Sequence, residues 1–438
     1  MISSIQDKNR EWKYFIILAV LLAFTMAFTD EQFATNKFIM FVWLDVLLLQ
    51  RSIKLDIGDA LIVLATFAYR IISNPDPGSV MWGMIRVFAL YQIAKYFADP
   101  CGDGKRDKEA LCEGVAFVIL AMSAALFLKG ILNYSYFLTD SAFLSKEEWP
   151  LWNPKWTSLD FTREDVMMRS PEEQQFFMIL MGSILPYFIL KVKKEKILGI
   201  AGIIMSVTAM WMGTLSTGAL GFVCALTATI VTFIVYGADK GMFSNIRAIT
   251  VIGAVIDIIT AFIVLTELNV WGLGTVMRHV WSNADRRFYS ERFYLMGQGL
   301  SFMPEYPFGD YENRLVIPNV RTAYYAYNSW IDTAVHAGFI PFVLYVAYLV
   351  FNIICLVCVC RKVGGIAKYM LVSAFTGMTA YHMLQPAFLQ DRRYWYVEVF
   401  LGALACGLYY AVSGKKRPVL SIDGISKRFI YDGNENKA

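Results

Sequence analysis

Charge is scarce in this chain. Of 438 residues only 17% are Asp, Glu, Lys or Arg, 57% are hydrophobic, and mean hydropathy is +0.47. A soluble globule of this length needs more polar surface, so the composition excludes that class and points to a polytopic membrane protein. A formal net charge of +4 is too small to imply nucleic acid as a partner. There is no internal repeat, no low-complexity tract and no polar stretch long enough to fold as a separate domain. The most telling absence is local. Residues 268–327 contain no lysine, yet they carry Arg278, Arg286, Arg287, Arg292, Arg314 and Arg321. Elsewhere lysine and arginine are mixed.

The apolar runs predict an all-α polytopic protein of about twelve transmembrane helices. They fall near 14–29, 34–50, 57–73, 79–98, 113–132, 174–190, 197–214, 218–236, 248–267, 329–356, 369–389 and 395–413. The first follows Lys8, Arg10 and Lys13 without a small-residue cleavage site, and reads as an uncleaved helix. Loop charges alternate. Basic residues gather at 51–54, 105–108, 191–196, 240–247, 361–368 and after 413, while the intervening connections hold few. Because cytoplasmic loops carry the excess of Lys and Arg, both termini are expected in the cytoplasm. The domain layout is then one transmembrane unit over 1–413 and a solvated cytoplasmic tail over 414–438.

On this map two large segments face outward, about 133–173 and 268–327, each expected to carry short interfacial helices. No cysteine lies in either, so no disulfide framework is implied. Cys355, Cys358 and Cys360 imitate a metal-ligand spacing, but they sit in an apolar helix with no His or Asp near, and no metal is expected there. The first outer segment is rich in Trp and acids (Trp149, Trp152, Trp156, Glu164, Asp165), a composition that fits either sugar stacking or an interfacial belt. The second suits an anionic ligand. Arginine presents a rigid bidentate fork to phosphate and stays charged in any environment. Within it, Tyr289, Phe293 and Met296 share a helical side with Arg286, as in a helix lying on a bilayer surface, and Arg287 is placed to pair with Glu291.

The arginine segment runs into YNSWIDTAVHAGFIPFVLYV, residues 327–346. Here Asn328, Trp330, Ile331 and Gly338 resemble the signature of the O-antigen polymerase and O-antigen ligase superfamily. Pro307-Phe308-Gly309 is similar to that family's Pro-x-x-Gly turn. Arg286 and Gly297 resemble its arginine, ten residues and a glycine, and Thr214–Gly218 resembles a bend between adjacent spans. Three positions depart from the pattern: Tyr327 stands for the family histidine, His336 for a glutamate and Thr217 for an arginine. The missing histidine favours the polymerases over the ligases.

The resemblance implies a glycosyltransferase of GT-C-like type, working without a metal or other cofactor in the bacterial cytoplasmic (inner) membrane. Donor and acceptor are undecaprenyl-pyrophosphate-linked oligosaccharides, and the product is an O-antigen of lipopolysaccharide or a capsule. Membrane lipid and a chain-length regulator are the other implied partners. A ligase using the same donor is the near alternative. A lipid-linked oligosaccharide flippase is the distant one, disfavoured by polar residues collected in loops and by the absence of repeated halves. The candidate pyrophosphate ligands are Arg286, Arg287, Arg292, Arg278 and the intramembrane Arg86. The candidate acid–base residues are His336, Tyr327 and Glu291. Asn328, Gly338, Pro307, Gly309 and Gly297 are expected to shape the site. Arg86 sits roughly 10 Å from the end of its helix at about 1.5 Å per residue, where an arginine is costly and takes a partner or a role. Asp45, Asp257 and Glu398 are its candidate acids. Lys95, nearer the other end of that helix, is expected to snorkel to the surface.

Overall fold

The structure, a computed structural model, describes residues 2–28, 34–50, 52–73, 75–100, 107–139, 178–217, 220–241, 293–309, 315–317, 321–323, 326–385, 393–415 and 418–421. It is built of helices: α1 (Ile2–Phe28), α2 (Ala34–Gln50), α3 (Ile57–Ser73), α4 (Pro77–Ala98), α5 (Lys108–Thr139), α6 (Leu185–Lys191), α7 (Lys196–Thr217), α8 (Leu220–Asp239), α9 (Phe293–Glu305), α10 (Ser329–Ala337), α11 (Phe339–Lys362), α12 (Lys368–His382) and α13 (Arg393–Ser413). Four three-residue strands, β1 (Ser52–Lys54), β2 (Leu315–Ile317), β3 (Arg321–Ala323) and β4 (Val419–Ser421), form two antiparallel pairs.

Among the described residues four helices are long and apolar enough to cross a membrane: Lys108–Leu128, Gly221–Asp239, Phe339–Lys362 and Tyr396–Ser413. Shorter apolar helices lie at Lys13–Met26, Ile39–Gln50, Met178–Lys191 and Lys196–Met210. Their outward faces carry Ile16, Ile17, Phe24, Ile204, Ile234, Ile353 and Ile354, all exposed. Apolar side chains on both the inner and outer faces of a bundle are what a bilayer, not water, tolerates. This is the architecture of an all-helical, multi-pass membrane protein.

α13 is the central element. It packs against α4, α11, α12 and α5 and is buried along most of its length. α8 and α11 expose more of their apolar surface and lie at the periphery. α4 starts where helix chemistry predicts: Asp76 accepts from the Ser79 N–H at 2.7 Å, and Pro77, which has no N–H to waste, occupies the first turn.

Two expectations need correction. The apolar run 329–356 is two helices, not one, because Gly338 breaks it with a φ of +86°. Within the segment after 413, β4 pairs with β1 in the register Ser52 with Ser421 and Lys54 with Val419. Lys95 does not snorkel. It is 2% exposed and held by Asp59, by the Lys54 carbonyl, and by Asp56 at 3.2 Å, while Gln92 donates to Asp59 at 2.8 Å. A buried ammonium is tolerable only with such partners. The candidate span 248–267 lies outside the described residues, as does most of the segment 133–173, of which α5 takes residues up to Thr139.

The bundle has two distinct ends. One gathers the basic connections: Lys54 pairs with Asp99 at 3.1 Å beside the β1–β4 ribbon, and one cavity is lined by Glu109, Lys193, Lys194, Lys240, Arg361 and Lys368. The other end holds α10 and the start of α11.

Candidate functional site

The α10 end is assembled from the residues of the 307–338 pattern. Asn328 caps α10: its Oδ1 accepts from the Trp330 and Ile331 N–H groups at 3.0 and 3.1 Å. Its Nδ2 donates to the Met383 carbonyl at 3.0 Å, so the same side chain ties α10 to the end of α12. Asp332, one turn on, reaches back to accept from the N–H groups of Ala326 at 2.5 Å and Asn328 at 3.1 Å. These bonds hold Tyr327 between them in the left-handed region, φ +57°. A tyrosine has no intrinsic preference for that conformation, so the cap and the carboxylate impose it. Burial pushes the Asp332 carboxyl up to about 8, against the two backbone donors, which favour its anion.

The Pro307-Phe308-Gly309 turn docks on the break after α10. The Phe339 N–H donates to the Pro307 carbonyl at 2.9 Å. A Cβ on Gly309 would stand 2.4 Å from the Gly338 nitrogen, and one on Gly338 would stand 2.5 Å from the Phe308 carbonyl carbon. Both glycines also have positive φ, +77° and +86°. Backbone lies on backbone here, which only glycine permits. α9 follows the same course. Leu295, Ala326, Ile331 and Val335 form a small core between α9 and α10, and Gly299 leaves room for the Ile331 side chain. Gly297, the pattern glycine, is exposed with open space around it. Packing in α9 depends on Gly299 instead.

Beneath α10 lies a buried polar cluster. His382 Nε2 stands 2.7 Å from Glu398 Oε2, although the approach is not that of an aligned hydrogen bond. Tyr345 donates to the same Oε2 at 3.1 Å. On the other side of the imidazole, Ser329 Oγ is 3.3 Å from Nδ1 and donates to the Gln385 carbonyl at 2.6 Å. With the hydroxyl proton already given to Gln385, Ser329 is an acceptor toward Nδ1. His382 and Glu398 are 0% and 2% exposed. Arg86 arrives at the same end from α4, buried, its Nη1 donating to Tyr396 Oη at 3.2 Å and its Nε to the Trp82 carbonyl at 3.3 Å. Tyr396 is two residues from Glu398 at the head of α13. Of the acids expected to meet Arg86, Glu398 lies opposite His382, and Asp257 is outside the described residues.

No family model matches the chain, and no curated protein matches it.

The structure brings together Asn328, Gly338, Pro307, Gly309, Tyr327 and His336. His336 is buried in the last turn of α10, and Tyr327 is half-buried at its head. Arg278, Arg286, Arg287, Glu291 and Arg292 lie outside the described residues, and so does Gly218 of the 214–218 pattern. Ser329, Asp332, His382 and Glu398 form the polar heart of this end, and the sequence reading gave none of them a catalytic or binding role. The one available signal was the polar lining at Tyr381, His382 and Gln385 inside an apolar run.

Proposed function

We propose that the chain is a polysaccharide polymerase that joins oligosaccharide repeat units carried on undecaprenyl pyrophosphate. A hydroxyl of the acceptor sugar attacks the anomeric carbon of the donor. The new C–O bond forms as the bond to pyrophosphate breaks, the hydroxyl proton passes to a base, and the lipid pyrophosphate leaves with the bonding electrons. Because the leaving group is already good, the protein's main tasks are positioning and neutralising the growing negative charge.

The observation that carries this reading is the docking of α9 and the 307–309 turn on α10. Phe293, the first residue of α9, directly follows Arg292, so the chain leaving the arginine-rich stretch is held against the Asn328 cap. Arg286, Arg287 and Arg292, with Arg278, are the proposed grip on pyrophosphate, and Arg86 the proposed contact from below. Tyr327 and His336, with Glu291, are the proposed acid–base residues. Of the two described, Tyr327 is the more accessible. The His382–Glu398 pair is too deeply buried to touch a sugar and acts as a positioning element for Ser329 and α10. The active face is proposed to be extracytoplasmic, with both termini in the cytoplasm.

The test is reconstitution of the purified protein with lipid-linked repeat units. A ladder of lengthening glycans is the expected result, and Arg286→Ala, Arg287→Ala and Arg292→Ala should each cut its rate at least tenfold at equal expression. A single transfer to a different acceptor without a ladder would make the protein a ligase, and full activity in all three variants would remove the arginine grip.

A further inference from the structure

The basic end of the bundle carries a second site, on the opposite side from α10. Its cavity, about 820 Å³, is bounded by the α6–α7 turn, the end of α8 and the α11–α12 loop. Lys193, Lys194, Lys240, Arg361 and Lys362 line it with exposed side chains, and none of these five forms an ion pair with a described residue. Of its two acids, Asp239 is engaged by Lys368 at 2.5 Å and by the Tyr369 hydroxyl at 2.5 Å, and Glu109 lies against the Gly364–Gly365 turn. Lys368 is itself buried, donating to the carbonyls of Cys360 and Val363 at 2.8 and 2.9 Å. The pocket is thus pre-formed and strongly positive.

It does not end in protein. Asp239, Cys360 and Arg361 line it and also line a second cavity, about 480 Å³, that continues along the bundle between α8, α11 and α12. That groove is apolar: Val231, Ile234, Ile353, Val357, Val372 and Phe375. On α12 it runs from Val372 to Met383, roughly 16 Å at about 1.5 Å per residue, close to the hydrocarbon depth of one leaflet. A soluble anion has no use for such a groove, and a neutral lipid has no use for five cations.

We propose that the pocket and groove form one site for an anionic phospholipid, with its headgroup phosphate among Lys193, Lys194, Lys240 and Arg361 and an acyl chain along α8 and α12. Basic pockets between transmembrane helices select acidic headgroups by charge, while the groove supplies the affinity for a tail. The groove's far end reaches Met383, whose carbonyl holds Asn328. A bound tail therefore packs against the same helix end that carries the cap of α10.

The full-length protein, purified in a neutral detergent, is offered phosphatidylglycerol and phosphatidylcholine in equal amounts and examined by native mass spectrometry. Wild type should retain phosphatidylglycerol at least tenfold over phosphatidylcholine. The variant Lys193→Gln/Lys194→Gln/Lys240→Gln/Arg361→Gln changes only exposed side chains and should lose that preference. Thr376→Trp, which fills the groove and leaves the charges in place, should lower retention of both lipids. Equal retention of the two lipids by wild type, or an undiminished preference in the fourfold variant, would overturn the proposal. So would displacement of the lipid by equimolar glycerol 3-phosphate, which would make this a site for a free anion. A mass increase by a second copy of the chain in place of lipid would make it a subunit contact.

Discussion

Gly309 and Gly338 touch through their backbones, although the chain between them passes through two strands and the whole of α10. The contact fixes the 307–309 turn against the break between α10 and α11. Replacing either glycine with alanine adds a Cβ within 2.5 Å of backbone atoms and imposes a positive φ on a residue that resists it. The conformational cost alone is about 1–2 kcal/mol, and the overlap adds about 1–3 kcal/mol. Gly309→Ala and Gly338→Ala should both lower the thermal unfolding midpoint and expose the 307–309 turn to limited proteolysis. Gly297→Ala, with open space around it, should leave both measurements unchanged.

The His382–Glu398 pair supports a second prediction. Removing one partner of a buried polar contact leaves the other unsatisfied in a medium that cannot solvate it, at a typical cost of about 1–3 kcal/mol. His382→Phe and Glu398→Leu should each be strongly destabilising, and the double variant should be less damaged than the sum of the two. A double-mutant cycle in chemical denaturation measures the difference. Strict additivity would mean the two residues are not coupled.

Asp332 should give stability a distinct pH dependence. Its folded-state carboxyl titrates at about 8, above the ordinary carboxylate range, so the folded protein holds this proton more tightly than the unfolded chain does. Stability from this group is therefore fully present below the ordinary carboxylate value, falls as pH rises from there, and is gone once pH passes about 8. Melting temperatures of wild type between pH 5 and 9 should contain this decline. Asp332→Asn should be less stable at every pH, because an amide NH₂ would face a backbone donor, and its profile should be flatter. An identical slope in both proteins would rule out Asp332 as the titrating group.

Among the described residues, the runs 113–132, 218–236 and 395–413 were legible as helices because each is long and continuously apolar. The run 329–356 misled for a physical reason: Ala337-Gly338-Phe339 is as apolar as a helix interior, and what ends α10 is the contact of Gly338 with a turn some thirty residues earlier. Asn328 was legible as part of a pattern, but its double duty at the Met383 carbonyl depends on α12 lying alongside. Lys95 was misjudged because its acids, Asp56 and Asp59, come from the preceding helix and its approach. His382 and Glu398 each look like an isolated polar residue in an apolar helix, and only the packing of α12 on α13 makes them a pair. Strands of three residues, as in β1 and β4, carry no period by which to find them.

The β1–β4 ribbon joins Ser52–Lys54 to Val419–Ser421, two strands with most of the helices between them in the chain. Contacts so distant along a chain close last, after the intervening segments have found their places. The ribbon is thus a clasp that fastens only after Val419–Ser421 have been made and the helices between the two strands are in place. A chain cut before residue 418 has no β4 to cover the edge of β1.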